Sequence, residues 1–190
     1  METTIKSLWA RIILSSYRNL PRVISSLDRT IECVAMQGFG RRNVYMSTEQ
    51  VVNRIIDNIY RKEGLLNLKA ITDSIIINMR KDYVKLLELK YISNKKFHEI
   101  AEELGISIRT VFRYYDKALY QFNCHLIMKG FTNERLEEEY AGEPYLDKIK
   151  AKVIEDYRNI DENLETRINI KKALMNINLV YGNDVEIKAY

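Results

Sequence analysis

A chain of 190 residues has room for one domain, or for two small ones with an extension. At 46% hydrophobic and 29% charged it is too apolar to be wholly disordered, and two prolines with seven glycines are too few turn residues for an all-β sandwich or barrel. The net charge of +4 is uneven, with cations in surplus over residues 1–130 and carboxylates over 131–190, so the body of the chain suits a polyanion.

Residues 3–17 place Ile5, Leu8, Trp9, Ile12 and Ile13 at helical spacing on one face. Asn19-Leu20-Pro21 interrupts that pattern, and Pro21 suits the first position of a second helix. This helix carries Ile24, Leu27, Ile31, Val34 and Ala35 on one side, and Gly38-Phe39-Gly40-Arg41-Arg42-Asn43 ends it in a short basic loop. Ser47-Thr48-Glu49-Gln50 fits a capping box with Ser47 as the cap. The helix it opens carries Val51, Val52, Ile55, Ile56 and Ile59, and Gly64 weakens or ends it. Leu65, Leu66, Leu68, Ile71, Ile75 and Ile76 resume the helical period to about Met79, although Ile75-Ile76-Ile77 also has the β-branched composition of a short strand.

From Lys81 the pattern shortens to helix, turn, helix, tight turn, helix over residues 84–122. Ile100, Ala101 and Leu104 form one face of the middle helix. Gly105 suits a left-handed helix end, and Ser107 caps the next helix. Val111, Tyr115, Ala118, Leu119 and Phe122 make that helix's buried stripe, which leaves Arg109, Thr110, Phe112, Arg113, Asp116 and Lys117 off it. The first half of a recognition helix enters the major groove, where arginine bridges guanine O6 and N7 and threonine meets a thymine methyl or a phosphate. Lys95 and Lys96, just before the middle helix, suit a backbone phosphate. With the cap Ser107, these residues form the expected DNA-binding set.

The stretch Glu99-Ile100-Ala101-Glu102-Glu103-Leu104-Gly105-Ile106-Ser107-Ile108-Arg109-Thr110-Val111 resembles the promoter-reading helix-turn-helix of bacterial sigma factors, known as region 4. The pattern there is EIA-x-x-LG-x-S-x-x-TV, and Ala118-Leu119 also fits. Upstream, no stretch combines aromatic residues and lysines as a promoter-melting sigma region 2 would need. The order of residues 24–92 is instead similar to small phage-encoded activators of the RinA and ArpU type: Ile24 to Ile31, the Gly/Arg loop, Thr48-Glu49-Gln50-Val51, then Leu86 to Tyr91.

These resemblances imply a sequence-specific transcription regulator of phage or mobile-element type, working on double-stranded DNA in the bacterial cytoplasm at the nucleoid. RNA polymerase and a second copy of the chain are candidate partners. The alternatives are a sigma-like factor or appropriator docking on RNA polymerase, a DNA-packaging protein such as a small terminase subunit, and an interaction module that binds no DNA.

Beyond Gly130 the chain turns acidic. Glu134 to Tyr140 reads as a charged helix with Glu137-Glu138-Glu139 solvated, and Ala141-Gly142-Glu143-Pro144 breaks it. A sharper reading lays the tail on the DNA-reading face as an autoinhibitor. Residues 145–158 and 162–179 read as further helices, with Ile149, Val153 and Ile154, then Leu164, Ile168, Leu174 and Ile177, as apolar faces. Gly182-Asn183-Asp184 reads as a turn. The expected fold class is all-α: a helical N-terminal segment (1–80), a helix-turn-helix (81–130) and an acidic helical extension (131–190).

Enzyme signatures are missing: no Walker loop, no His-Glu-x-x-His, no Gly-x-Ser-x-Gly. Adjacent Cys124-His125 diverge on a helix, so no metal site, cofactor or catalytic residue is expected. Cys33 and Cys124 read as buried residues of a reducing compartment. No signal-peptide pattern opens the chain, and no apolar run reaches membrane-spanning length.

Overall fold

The computed structural model describes residues 8–39 and 47–156. Ile5, the basic loop at Arg41-Arg42, the expected helix 162–179 and the turn at Gly182 lie outside the described residues. Among these residues there are helices and no strand, so the protein is all-α. In chain order they are α1 (Leu8–Tyr17), α2 (Leu20–Phe39), α3 (Thr48–Ile77), α4 (Lys81–Leu87), a π-helical turn (Glu88–Ile92), α5 (Phe97–Leu104), α6 (Ile108–Met128), α7 (Asn133–Glu139) and α8 (144–150).

Packing divides the chain into a unit of residues 1–150 and a second unit of residues 151–190. In the second, residues 151–156 are described and are helical. Neither the change of helical pattern at Lys81 nor the change of charge at 130/131 coincides with that division. Charge patterning reports solvated surface, whereas within residues 1–150 all three segments contribute buried apolar residues, among them Ile12, Phe122 and Leu136.

Helix α1 explains why. Trp9, Ala10, Ile12, Ile13, Leu14 and Ser16 are all buried, so the helix is covered on nearly every side rather than on one face. A helix that is apolar almost all round belongs inside a core. It packs against α2, α3, the π-helical turn and α6.

Helix α2 starts at Leu20, with Pro21 second, where a missing N–H leaves no intrahelical bond unmade. Ile24, Leu27 and Val34 are buried as the pattern predicts, while Ile31 and Ala35 are half-buried. The helix lies along α3, where Lys62 pairs with Asp28.

Helix α3 opens with the expected capping box. Gln50 N–H donates to Ser47 Oγ at 3.2 Å, and Ser47 N–H donates to Gln50 Oε1 at 2.9 Å. It then runs unbroken through Gly64, against the expectation of an interruption, and through Ile75-Ile76-Ile77, where the helical period holds over the β-branched composition. A single glycine costs about 1 kcal/mol in a helix interior, which tertiary packing readily offsets. Here the Tyr140 hydroxyl donates to the Gly64 carbonyl at 3.3 Å. The buried face of α3 is Asn58, Leu65, Leu68, Thr72 and Ile75; Val52, Ile56 and Ile59 are exposed.

The acidic segment docks through its uncharged and buried residues. Thr132 caps α7, and Leu136, Tyr140, Glu143 and Leu146 are buried. Arg61 grips Glu143 with two bonds, Nε to Oε2 at 2.9 Å and Nη2 to Oε1 at 3.1 Å. The Tyr145 hydroxyl donates to the Ser16 carbonyl at 2.7 Å. Residues 131–150 thus bond to α1 and α3, which replaces the autoinhibitory placement for this part of the tail. Glu138 is solvated as expected, whereas Glu137 bonds Trp9 and Lys150. Cys33 is exposed and Cys124 half-buried, because α2 turns Cys33 away from the stripe led by Leu27 and Val34.

Candidate nucleic-acid interface

The candidate site is the α5–turn–α6 unit. The π-helical turn leads into it, with Ser93 N–H donating to Glu88 O at 2.9 Å and Lys95 N–H to Leu89 O at 3.0 Å. Asn94 between them adopts φ +55°, a conformation asparagine tolerates better than most residues. After α5, Gly105 takes φ +63° and closes a Schellman motif: Ile106 N–H donates to Ala101 O at 3.1 Å, and Gly105 N–H to Glu102 O at 3.2 Å. Ser107 then caps α6, accepting from Thr110 N–H at 3.2 Å.

One face of α6 is core. Val111, Tyr115, Ala118, Leu119, Phe122 and Leu126 are buried, the first five as the spacing predicts. Ile100 of α5 is fully buried; Ala101 and Leu104 are half-buried. Tyr115 is the most connected of these. Its hydroxyl shares a 2.7 Å hydrogen bond with Tyr91, its ring meets Phe97 edge-on at 5.1 Å, and the Arg11 guanidinium lies 5.4 Å over it.

The opposite face carries Arg109, Arg113 and Lys117, four residues apart and so stacked in one column along the helix. All three are exposed, and among the described residues none has an ion-pair partner. The Arg113 guanidinium lies 5.8 Å from the neighbouring Tyr114 ring. Asp116 is exposed beside the column. No protein-family model, curated protein or solved structure matches the chain.

The predicted set therefore divides. Arg109, Arg113, Asp116 and Lys117 stand open on α6, and the Lys96 side chain is exposed at the start of α5. The other four make contacts within the unit. Lys95 is ion-paired with Glu103. Ser107 and Thr110 share a 2.9 Å hydroxyl bond within the cap. Phe112, 46% exposed, packs its ring 4.6 Å from that of Phe97. The start of α5 is also less open to an anion than expected, since the Glu99 carboxylate accepts from Lys96 N–H at 2.7 Å.

Two participants have no local signature. Lys90 Nζ sits 4.4 Å over the Phe97 ring, which brings a further cation to the edge of the Phe97–Phe112 pair. Glu103 reaches Lys95 from the far end of α5. Both contacts depend on the course of the chain through the π-helical turn, which periodicity does not encode. Among the described residues, no helix is long and apolar enough to cross a membrane.

Proposed function

We propose that the α5–α6 unit reads double-stranded DNA and that the protein is a sequence-specific transcription regulator. The observation that carries this is the column of Arg109, Arg113 and Lys117, exposed and, among the described residues, without ion-pair partners on the face opposite the α6 core stripe. A purely structural helix needs no such column. Three aligned cations match the charge of a DNA groove and its phosphates.

With 21 residues, α6 is about 31 Å long at 1.5 Å per residue. Its first half can enter the major groove while the second half stays in the core. Arg109 and Arg113 are the base readers, with bidentate contacts to guanine O6 and N7, and Asp116 accepts from a cytosine amino group. Lys117 and Lys96 hold phosphates and fix the register. The likeness of Glu99 to Val111 to sigma region 4 supports promoter DNA as the target, which places the work at the bacterial nucleoid.

The test is selection of the purified chain on a pool of random duplexes, sequenced at two salt concentrations. The expected result is a defined motif that survives the higher salt. Binding without a motif, falling steeply with salt, would reduce the interface to backbone contact. No binding at either salt would end the DNA reading.

A further inference from the structure

The Lys95–Glu103 ion pair lies within the proposed DNA-reading unit. Its backbone is fixed: Lys95 N–H is bonded to Leu89 O at 3.0 Å, and the preceding Asn94 is in the left-handed region. Glu103 stands on the last turn of α5, held by the Schellman motif that follows. The two side chains are each 38% exposed, so the pair sits at the solvent boundary. The neighbouring Lys96 differs. Its backbone N–H is satisfied by Glu99, while its ammonium has no ion-pair partner among the described residues. Of two adjacent lysines at the mouth of the unit, one is neutralised by its own chain and the other is not.

We propose that Glu103 holds Lys95 in the place a DNA phosphate takes on binding, and that this exchange makes Glu103 a residue that limits DNA affinity. The inference rests on the DNA reading above. Exchange needs only side-chain rotation, because the Lys95 backbone is already anchored. It is also nearly balanced, since a half-exposed ion pair contributes little net stability. A phosphate oxygen offers the same charge-assisted bond. Breaking the Lys95–Glu103 pair offsets part of what the phosphate bond contributes, so the wild-type chain binds every duplex more weakly than its cation count allows. Such a device lowers sequence-independent binding, the background against which a regulator must find its site.

The test uses the full chain with Glu103→Gln, Lys95→Ala, their double variant, and Lys96→Ala as the unpaired comparison. Affinity for a random-sequence duplex is measured across a salt series, with helix content and thermal midpoint checked for each variant. Glu103→Gln is expected to tighten binding about two- to fivefold, the range of one surface ion pair. Lys95→Ala is expected to flatten the salt slope by about 0.9, the value of one phosphate contact. In the Lys95→Ala background the gain from Glu103→Gln should vanish, since the cycle isolates the pair.

A gain that persists without Lys95 would show only the removal of a distant negative charge and would overturn the exchange. An unchanged salt slope in Lys95→Ala would overturn it too. These failures are distinct from that of the DNA reading, in which the wild-type chain and every variant leave the duplex unbound.

Discussion

The indole N–H of Trp9 donates to a carboxylate oxygen of Glu137 at 3.1 Å, joining residues 128 positions apart. The other Glu137 oxygen takes the Lys150 ammonium, which also lies 6.0 Å over the Trp9 ring. One carboxylate thus ties the buried first helix to the acidic segment.

That carboxylate makes the fold acid-sensitive. The hydrogen bond from Lys150 holds Glu137 below the ordinary carboxylate value of 4.5; burial opposes it, and the Lys150 charge and the Trp9 N–H add to the lowering. For Asp73 burial is the largest single influence and acts upward, but Lys69 and the Tyr17 hydroxyl together bring it below its usual value. A group whose pKa is depressed by folding contributes stability above its unfolded value and loses it as pH falls through the folded one. The thermal midpoint should therefore fall as pH drops below about 4.5. Glu137→Gln, which keeps an acceptor for Trp9, should make that fall shallower.

The Arg61–Glu143 pair should respond unequally to its two deletions. Glu143 is buried, whereas the Arg61 side chain is 38% exposed. Arg61→Ala leaves a buried carboxylate with the Tyr145 N–H at 3.3 Å but without its cation, and should cost about 3 kcal/mol. Glu143→Ala lets the guanidinium turn to water and should cost about 1 kcal/mol. Urea unfolding of both variants measures the difference; equal losses would mean that the carboxylate finds water.

Two glycines should respond in opposite directions to alanine. A Cβ at Gly64 would meet Tyr140 Cε1 at 3.8 Å, an ordinary contact, inside a regular helix. Gly64→Ala should stabilise by about 0.5–1 kcal/mol. At Gly105 a Cβ meets nothing within 4 Å, but φ is +63°. Gly105→Ala should cost about 1–2 kcal/mol through backbone strain alone. Denaturation midpoints decide both.

Arg113→Ala should weaken binding to the selected site by about 1–3 kcal/mol and relax preference at one base position. Titrations on cognate and scrambled duplexes test this. An equal loss on both would make Arg113 a phosphate contact.

Local chemistry made the α5–α6 unit legible. Gly105 and Ser107 act through their immediate neighbours, and the spacing from Val111 to Phe122 follows from helix geometry alone. Periodicity could not show that α1 is covered on nearly every side, because its cover comes from α2, α3, the π-helical turn and α6. The continuity of α3 through Gly64 was hidden for a related reason: Tyr140, which binds the Gly64 carbonyl, is 76 residues away. Charge patterning marked 131–150 as acidic but not as docked, since the partners of Glu137 and Glu143, Trp9 and Arg61, lie 128 and 82 residues away. Lys95 read as a free cation because Glu103 lies eight residues on, beyond any local rule.

Tyr115 joins α6 to Tyr91 and Arg11, and the same face of α6 is roofed by α1. Residues 81–130 excised alone would lose the packing of α6 on α1 and α3 and the Arg11 contact of Tyr115. The α5–α6 unit is therefore no cassette to be traded between proteins. On the proposed function, any sequence preference of Arg109 and Arg113 is inherited together with the N-terminal helices, and changes in Arg11 or Ile12 should be felt at the far side of α6.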